Sequence, residues 1–203
     1  MKGFANRVTR GKSAGNQNAS NKSKVNVPRL VGTLDFNDEN AIMKALDECE
    51  REAANLPYER CRVITSDGKI WEVDGLSNFV DTSLIQSQKG SSLKGSYSYH
   101  NHPPKQTWFS FSSADVADFI SNGEAFAKAS DFKYSYIMRR TQDTVIADYD
   151  AVKREFYKVY CSDVYQMSID EIIDIDEDGY HEAMKIMSKR YKFLYRRFDR
   201  YDK

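Results

Sequence analysis

Tyr99-His100-Asn101-His102-Pro103, followed by Ser112-Ser113-Ala114-Asp115, is the stretch on which the reading of this chain turns. It has the form H-x-H-P, a loop, then S-x-x-D. Gly95 introduces a strand over Ser96 to His100, and residues two apart on a strand point to the same face. Tyr97 and Tyr99 therefore take one face, while Ser98, His100 and His102 take the other. Two of the chain's three histidines thus share one side of a strand. Pro103 ends that strand, and the loop leads directly to a helix opening at Ser112, which brings Asp115 toward the imidazoles. Taken singly, H-x-H describes two surface histidines and S-x-x-D an ordinary capped helix start. In this order they supply three protein ligands and leave a position open, the pattern of catalytic rather than structural zinc.

Around this stretch the pattern is α+β. Asp38 to Asn55 reads as a helix, because Ile42, Ala45, Leu46, Cys49 and Ala53 recur at helical spacing; Asn37 is its predicted N-cap and Pro57 ends it. Glu59 to Thr65 and Lys69 to Val73 read as strands joined through Asp67-Gly68, a hairpin turn. Phe79 to Gln88 reads as a short helix. Ser112 to about Asn122 is a helix with Val116, Phe119 and Ile120 on its apolar face. Phe132 to Arg139 and Val145 to Tyr149 read as strands. From Asp150 onward the chain is predicted helical, with Phe156, Tyr160, Tyr191 and Leu194 facing the core. The basic, aromatic end (Lys189 to Phe198) reads as an amphipathic helix or a nucleic-acid-docking one.

Three parts are expected: a disordered basic tail over 1–29, a core over 30–150, and a helical extension over 151–203 packed on the core. The tail carries Lys2, Arg7, Arg10, Lys12, Lys22, Lys24 and Arg29 with no acidic residue. Such a composition buries too little apolar surface to offset ordering entropy. It reads as a solvated segment or as a docking arm for nucleic acid or an acidic partner. Over the whole chain Lys+Arg and Asp+Glu balance at 30 each, which gives no global bias toward polyanions. No apolar run approaches the length of a membrane span, and the N-terminus lacks the apolar stretch of a signal peptide. Cys49, Cys61 and Cys161 are odd in number and widely spaced, so reduced, buried thiols in a cytoplasmic setting are expected.

A hydrolytic metal site needs a general base near the metal. Glu59, opening the first strand of the hairpin, is the candidate, and Glu72 on the second strand is its rival. A separate acidic run, Asp174-Ile175-Asp176-Glu177-Asp178-Gly179, has the opening D-x-D-x-D-G of a calcium loop. Its twelfth position is Lys185 in place of a bidentate glutamate, which reads against calcium.

The order E…H-x-H…S-x-x-D resembles the JAMM motif of the JAB/MPN metallopeptidase superfamily. The spelling H-N-H-P is similar to its prokaryotic and phage, RadC-like branch. The resemblance covers roughly Leu56 to Tyr149. It implies a JAB/MPN-like mixed sheet with flanking helices and one zinc ion held by His100, His102 and Asp115. It also implies Glu59 as general base and Ser112 as the residue that hydrogen-bonds the oxyanion or orients the water. The implied activity is hydrolysis of an amide bond in a protein or peptide substrate by a peptidase or isopeptidase. Two features depart from the family: the gap from His102 to Ser112 is longer than usual, and Phe111 stands where many members have proline. The added loop, with Trp108 and Phe109, is expected to alter the substrate groove. The resemblance also admits an assembly or maturation module of a phage particle, touching virion subunits or DNA, with catalysis absent or incidental. A toxin acting in a host cytoplasm is a further reading of the same resemblance.

Overall fold

The computed structural model describes residues 27–88, 90–104 and 110–200. In it a seven-stranded mixed sheet, in the order β1-β3-β2-β4-β5-β6-β7, lies between two layers of helix. The strands are β1 (Arg29–Thr33), β2 (Arg60–Ile64), β3 (Lys69–Asp74), β4 (Tyr97–Asn101), β5 (Phe126–Ser130), β6 (Tyr134–Arg139) and β7 (Leu194–Asp199). All neighbours are antiparallel except β4 and β5, which run parallel. A parallel pair needs a crossover, and helix α3 (Ser113–Asn122) supplies it.

Helix α1 (Glu39–Ala53) forms for the reason its spacing gives. Ile42, Ala45, Leu46, Cys49 and Ala53 are its buried residues, and they pack on Ile64, Tyr99 and Phe126. The N-cap is Asp38 rather than Asn37: the Asp38 carboxylate accepts from the Ala41 N–H at 3.1 Å. Asn37 instead donates to Asp35 in the preceding turn. The β2–β3 hairpin turns through Gly68, whose φ of 78° suits a residue without Cβ.

The opposite face carries α3, α4 (Tyr149–Val159) and α6 (Ile175–Tyr191). A π-helical turn (Tyr160–Val164) and the short α5 (Tyr165–Ile169) continue α4. Phe111, Val116, Phe119, Ile120, Tyr136, Met138, Phe156 and Met184 form one core there, drawn from both sides of Asp150. The C-terminal segment is thus part of the fold that buries α3.

Several expectations are corrected. Strand β5 was not foreseen: Phe126-Ala127-Lys128-Ala129-Ser130 has little strand propensity. Position makes it a strand, because Ala127 and Ala129 let α3 pack closely while Lys128 reaches Asp47 and Glu50 of α1. Val145 to Tyr149 is not a strand. The free edge of β6 is taken by β7, and Asp148 caps α4 by accepting from Ala151 N–H, which draws Tyr149 into the helix. The chain is not helical to its end. Helix α6 stops at Lys192, in the left-handed region at φ 58°, and the basic end pairs with β6 as β7. Leu194 alternates to an exposed position rather than the core. The helix expected over Phe79–Gln88 is confined to α2 (Ser83–Gln86).

Arg29, assigned to the tail, is a strand residue paired with Glu72 and Asp74. Residues 1–26, Trp108 and Phe109, and the docking and groove roles expected of them, lie outside the described residues. The D-x-D-x-D-G run is the start of α6: Asp174 is its N-cap, Asp178 pairs with Arg197 and Glu177 with Lys133. Cys49 and Cys61 are buried thiols, but Cys161 is exposed. Among the described residues no helix is long and apolar enough to cross a membrane.

Candidate metal centre

Strand parity decides what faces the centre. Cys61 pairs with His100 and Val63 with Ser98, so these four share the face that bears α3. Arg62 pairs with both Tyr99 and Glu72, which places Glu72 on the α1 face, behind the sheet from His100. There the Glu72 carboxylate meets Arg62 at 2.8 Å and Arg29 at 2.8 Å. These bonds hold its pKa below the usual range despite burial. The rival for the base is therefore a buried ion-pair partner on the wrong face. Glu59, one residue before β2, has the parity of Cys61 and lines one cleft with His102, Ser112 and Asp115.

The histidines converge through the same nitrogen: His100 Nε2 and His102 Nε2 lie 3.1 Å apart. Asp115 Oδ1 is 3.5 Å from His100 Nε2, and one ligand atom from each of the three residues lies within 4.8 Å of the other two. Two ligands each 2.0–2.1 Å from a shared tetrahedral centre are roughly 3.3 Å apart. The two separations at His100 match that spacing, and the three residues together could hold one metal ion. Burial, then the neighbouring His100, pushes the His102 pKa down to about 3, with Asp115 opposing. Its imidazole is neutral at physiological pH, the form that ligates. Its Nδ1 is buried with no hydrogen-bond partner among the described residues.

Asp115 is aimed by the start of α3. Ser112 is the N-cap: its N–H donates to Asp115 Oδ2 at 2.7 Å, and its Oγ accepts from Asp115 N–H at 3.3 Å. The capping box occupies one carboxylate oxygen and leaves Oδ1 toward His100. The S-x-x-D spacing therefore caps the helix and at the same time holds Asp115 Oδ1 toward His100, where it could serve as a ligand. Ser112 Oγ still has a proton to donate into the cleft it shares with Glu59.

Glu59 is 7% exposed, and desolvation followed by the nearby Asp115 charge pushes its pKa up to about 8. Its backbone is fixed against the far end of the hairpin: Glu59 N–H donates to Leu76 C=O at 2.7 Å, and Gly75 N–H donates to Glu59 C=O at 2.8 Å. Gly75 is required there, because a Cβ would lie 2.2 Å from the Phe79 carbonyl oxygen.

Two further acidic residues line the centre. Asp118, one turn after Asp115 on α3, lines the Glu59 cleft, and with Glu124 it also lines an inner cavity behind His100. Burial raises both, Asp118 to about 7 and Glu124 to about 8, and Ser98 Oγ donates to Glu124 at 2.9 Å. The i, i+3 spacing of Asp115 and Asp118 was the available signal for the first. Glu124, at the helix end, carried none. Compared with known proteins, the chain matches no family model, and no curated protein or solved structure matches it significantly.

Proposed function

We propose that this chain is a zinc-dependent peptidase or isopeptidase of the JAB/MPN type, hydrolysing an amide bond in a protein or peptide. One observation carries the reading: two imidazole nitrogens and a carboxylate oxygen converge at ligand spacing, beside a cleft that also holds a buried carboxyl and a serine hydroxyl. The mixed sheet, with both histidines at the end of one strand and the aspartate in the first turn of the next helix, supports the JAMM resemblance.

His100, His102 and Asp115 would hold the ion. Bound zinc supplies Lewis acidity, lowering the pKa of water and polarising a carbonyl. The remaining work falls to the chain. Glu59, whose pKa of about 8 without metal would be drawn down by the bound cation, accepts as the carboxylate the proton of the attacking water and returns it to the leaving amine, so one carboxyl serves both halves of the reaction. Ser112 Oγ, with its proton free, donates to the developing oxyanion, while its backbone keeps Asp115 oriented. Phe79, Val80 and Tyr149 line the same cleft beside Glu59.

The test pairs a zinc-loaded wild-type chain with Glu59→Gln on a library of quenched-fluorescence peptides and isopeptide-linked conjugates. Glu59→Gln is expected to retain its metal and lose activity by a factor on the order of 100 or more. Hydrolysis by Glu59→Gln at the wild-type rate refutes the mechanism. A metal-loaded wild type that cleaves nothing in the panel favours the assembly-module reading instead.

A further inference from the structure

Main-chain pairing between β2 and β4 ends at Cys61↔His100, yet the chain on either side of Glu59 remains tied to β4. The tie is the side chain of Asn101, the residue between the two histidines. Asn101 Oδ1 accepts from the Arg60 N–H at 2.7 Å, and Asn101 Nδ2 donates to the Tyr58 C=O at 3.1 Å. Asn101 is 2% exposed. Its carboxamide thus continues the β2–β4 ladder past the last backbone pair, holding residues 58 and 60. Glu59 itself is held from the other side by Gly75 and Leu76.

We propose that Asn101 is a positioning residue that fixes Glu59 relative to the metal ligands; this rests on the reading of Glu59 as the general base. The chemistry is specific to an amide. One partner is an N–H donor and the other a carbonyl acceptor, so the side chain must accept at one atom and donate at another. Aspartate can accept from Arg60 but sets a negative oxygen against the Tyr58 carbonyl. Alanine releases both bonds and leaves a part-buried N–H and C=O without these partners. Because Asn101 lies on the same strand as His100 and His102, one rigid segment sets both the ligand nitrogens and the span that carries the base. The consequence is that Asn101 acts through Glu59 and leaves metal binding to other residues.

The test uses the full chain freed of metal and loaded with one equivalent of cobalt(II), whose ligand-field absorption reports the surroundings of the ion. Asn101→Ala is expected to bind cobalt with wild-type affinity while its absorption moves to that of Glu59→Gln. The double variant should coincide with Glu59→Gln alone. Exchange of the Arg60 amide hydrogen should accelerate on the order of tenfold or more as its bond is lost. A wild-type spectrum in Asn101→Ala, when Glu59→Gln shifts it, overturns the proposal, and so does a double variant showing both shifts added. If Glu59→Gln leaves the spectrum unchanged, the placement of the base has failed before Asn101 is at issue. Where Asn101→Ala does not fold, Asn101→Asp keeps the Arg60 bond and loses the Tyr58 one. It should shift the absorption partway in the same direction, and an unshifted spectrum overturns the proposal.

Discussion

Replacing Glu59 by glutamine should stabilise the metal-free protein, and by an amount that grows with pH. Burial and the Asp115 charge raise the folded-state pKa of Glu59 from 4.5 to about 8. A group raised on folding contributes its full stability below its unfolded value, and that contribution is lost as pH rises through the folded one. Each pH unit in that window corresponds to about 1.4 kcal/mol. At pH 7 the wild type is therefore about 3 kcal/mol worse off than at pH 4, an order-of-magnitude figure. Glutamine keeps the shape and cannot ionise, so it escapes this cost. Denaturant unfolding of both metal-free proteins from pH 4 to 8 measures the gap. It should be near zero at pH 4 and rise steadily to neutrality. Adding zinc should narrow it, because a nearby cation favours the carboxylate. A gap that stays flat across this range would show that Glu59 is not a buried carboxyl beside Asp115, and the argument for it as a base near neutrality would fall.

Glu72→Ala should destabilise the fold by about 1–3 kcal/mol, since Arg62 loses its buried 2.8 Å partner but keeps Glu52 at 2.7 Å and the Ala45 carbonyl, and metal content should not change; loss of metal in a folded Glu72→Ala would contradict the assignment of Glu72 to the α1 face. Ser112→Ala should cost about 1 kcal/mol as a lost N-cap, read from thermal unfolding, and leave metal affinity nearly intact, because the Asp115 Oδ2 bond comes from the Ser112 backbone. A chain ending near Asp150 should be insoluble or molten by near-ultraviolet circular dichroism. It loses Phe156, Met184 and Phe193 from the core beneath α3, and it uncovers the edge of β6.

Most of what was legible in the sequence was local. The α1 stripe, the Asp67-Gly68 hairpin and the H-x-H parity each rest on spacing within a few residues, and the structure places all three as read. The three ligand candidates were legible for the same reason: two are on one strand and the third follows a single loop. What was not legible depends on distant partners. Strand β5 is written in alanine and lysine because α3 and α1 press on its two faces, a context no window of sequence contains. Strand β7 alternates with period two, but its arginines and aromatics also fit the helical pattern of the residues before it, and pairing with β6 decides between them. Glu59 and Glu72 looked alike as strand glutamates, and only register separates the carboxyl in the cleft from the one behind the sheet. The clamp by Asn101 is a tertiary contact across 41 residues, hidden in a motif whose histidines draw the eye.

The central claim is that His100, His102 and Asp115 form one metal centre. It is tested most directly by elemental analysis of the chain purified without added metal, beside His102→Ala. About one zinc per wild-type chain is predicted, with the variant folded and depleted. No metal in the wild type after incubation with zinc, or full occupancy in His102→Ala, would contradict it.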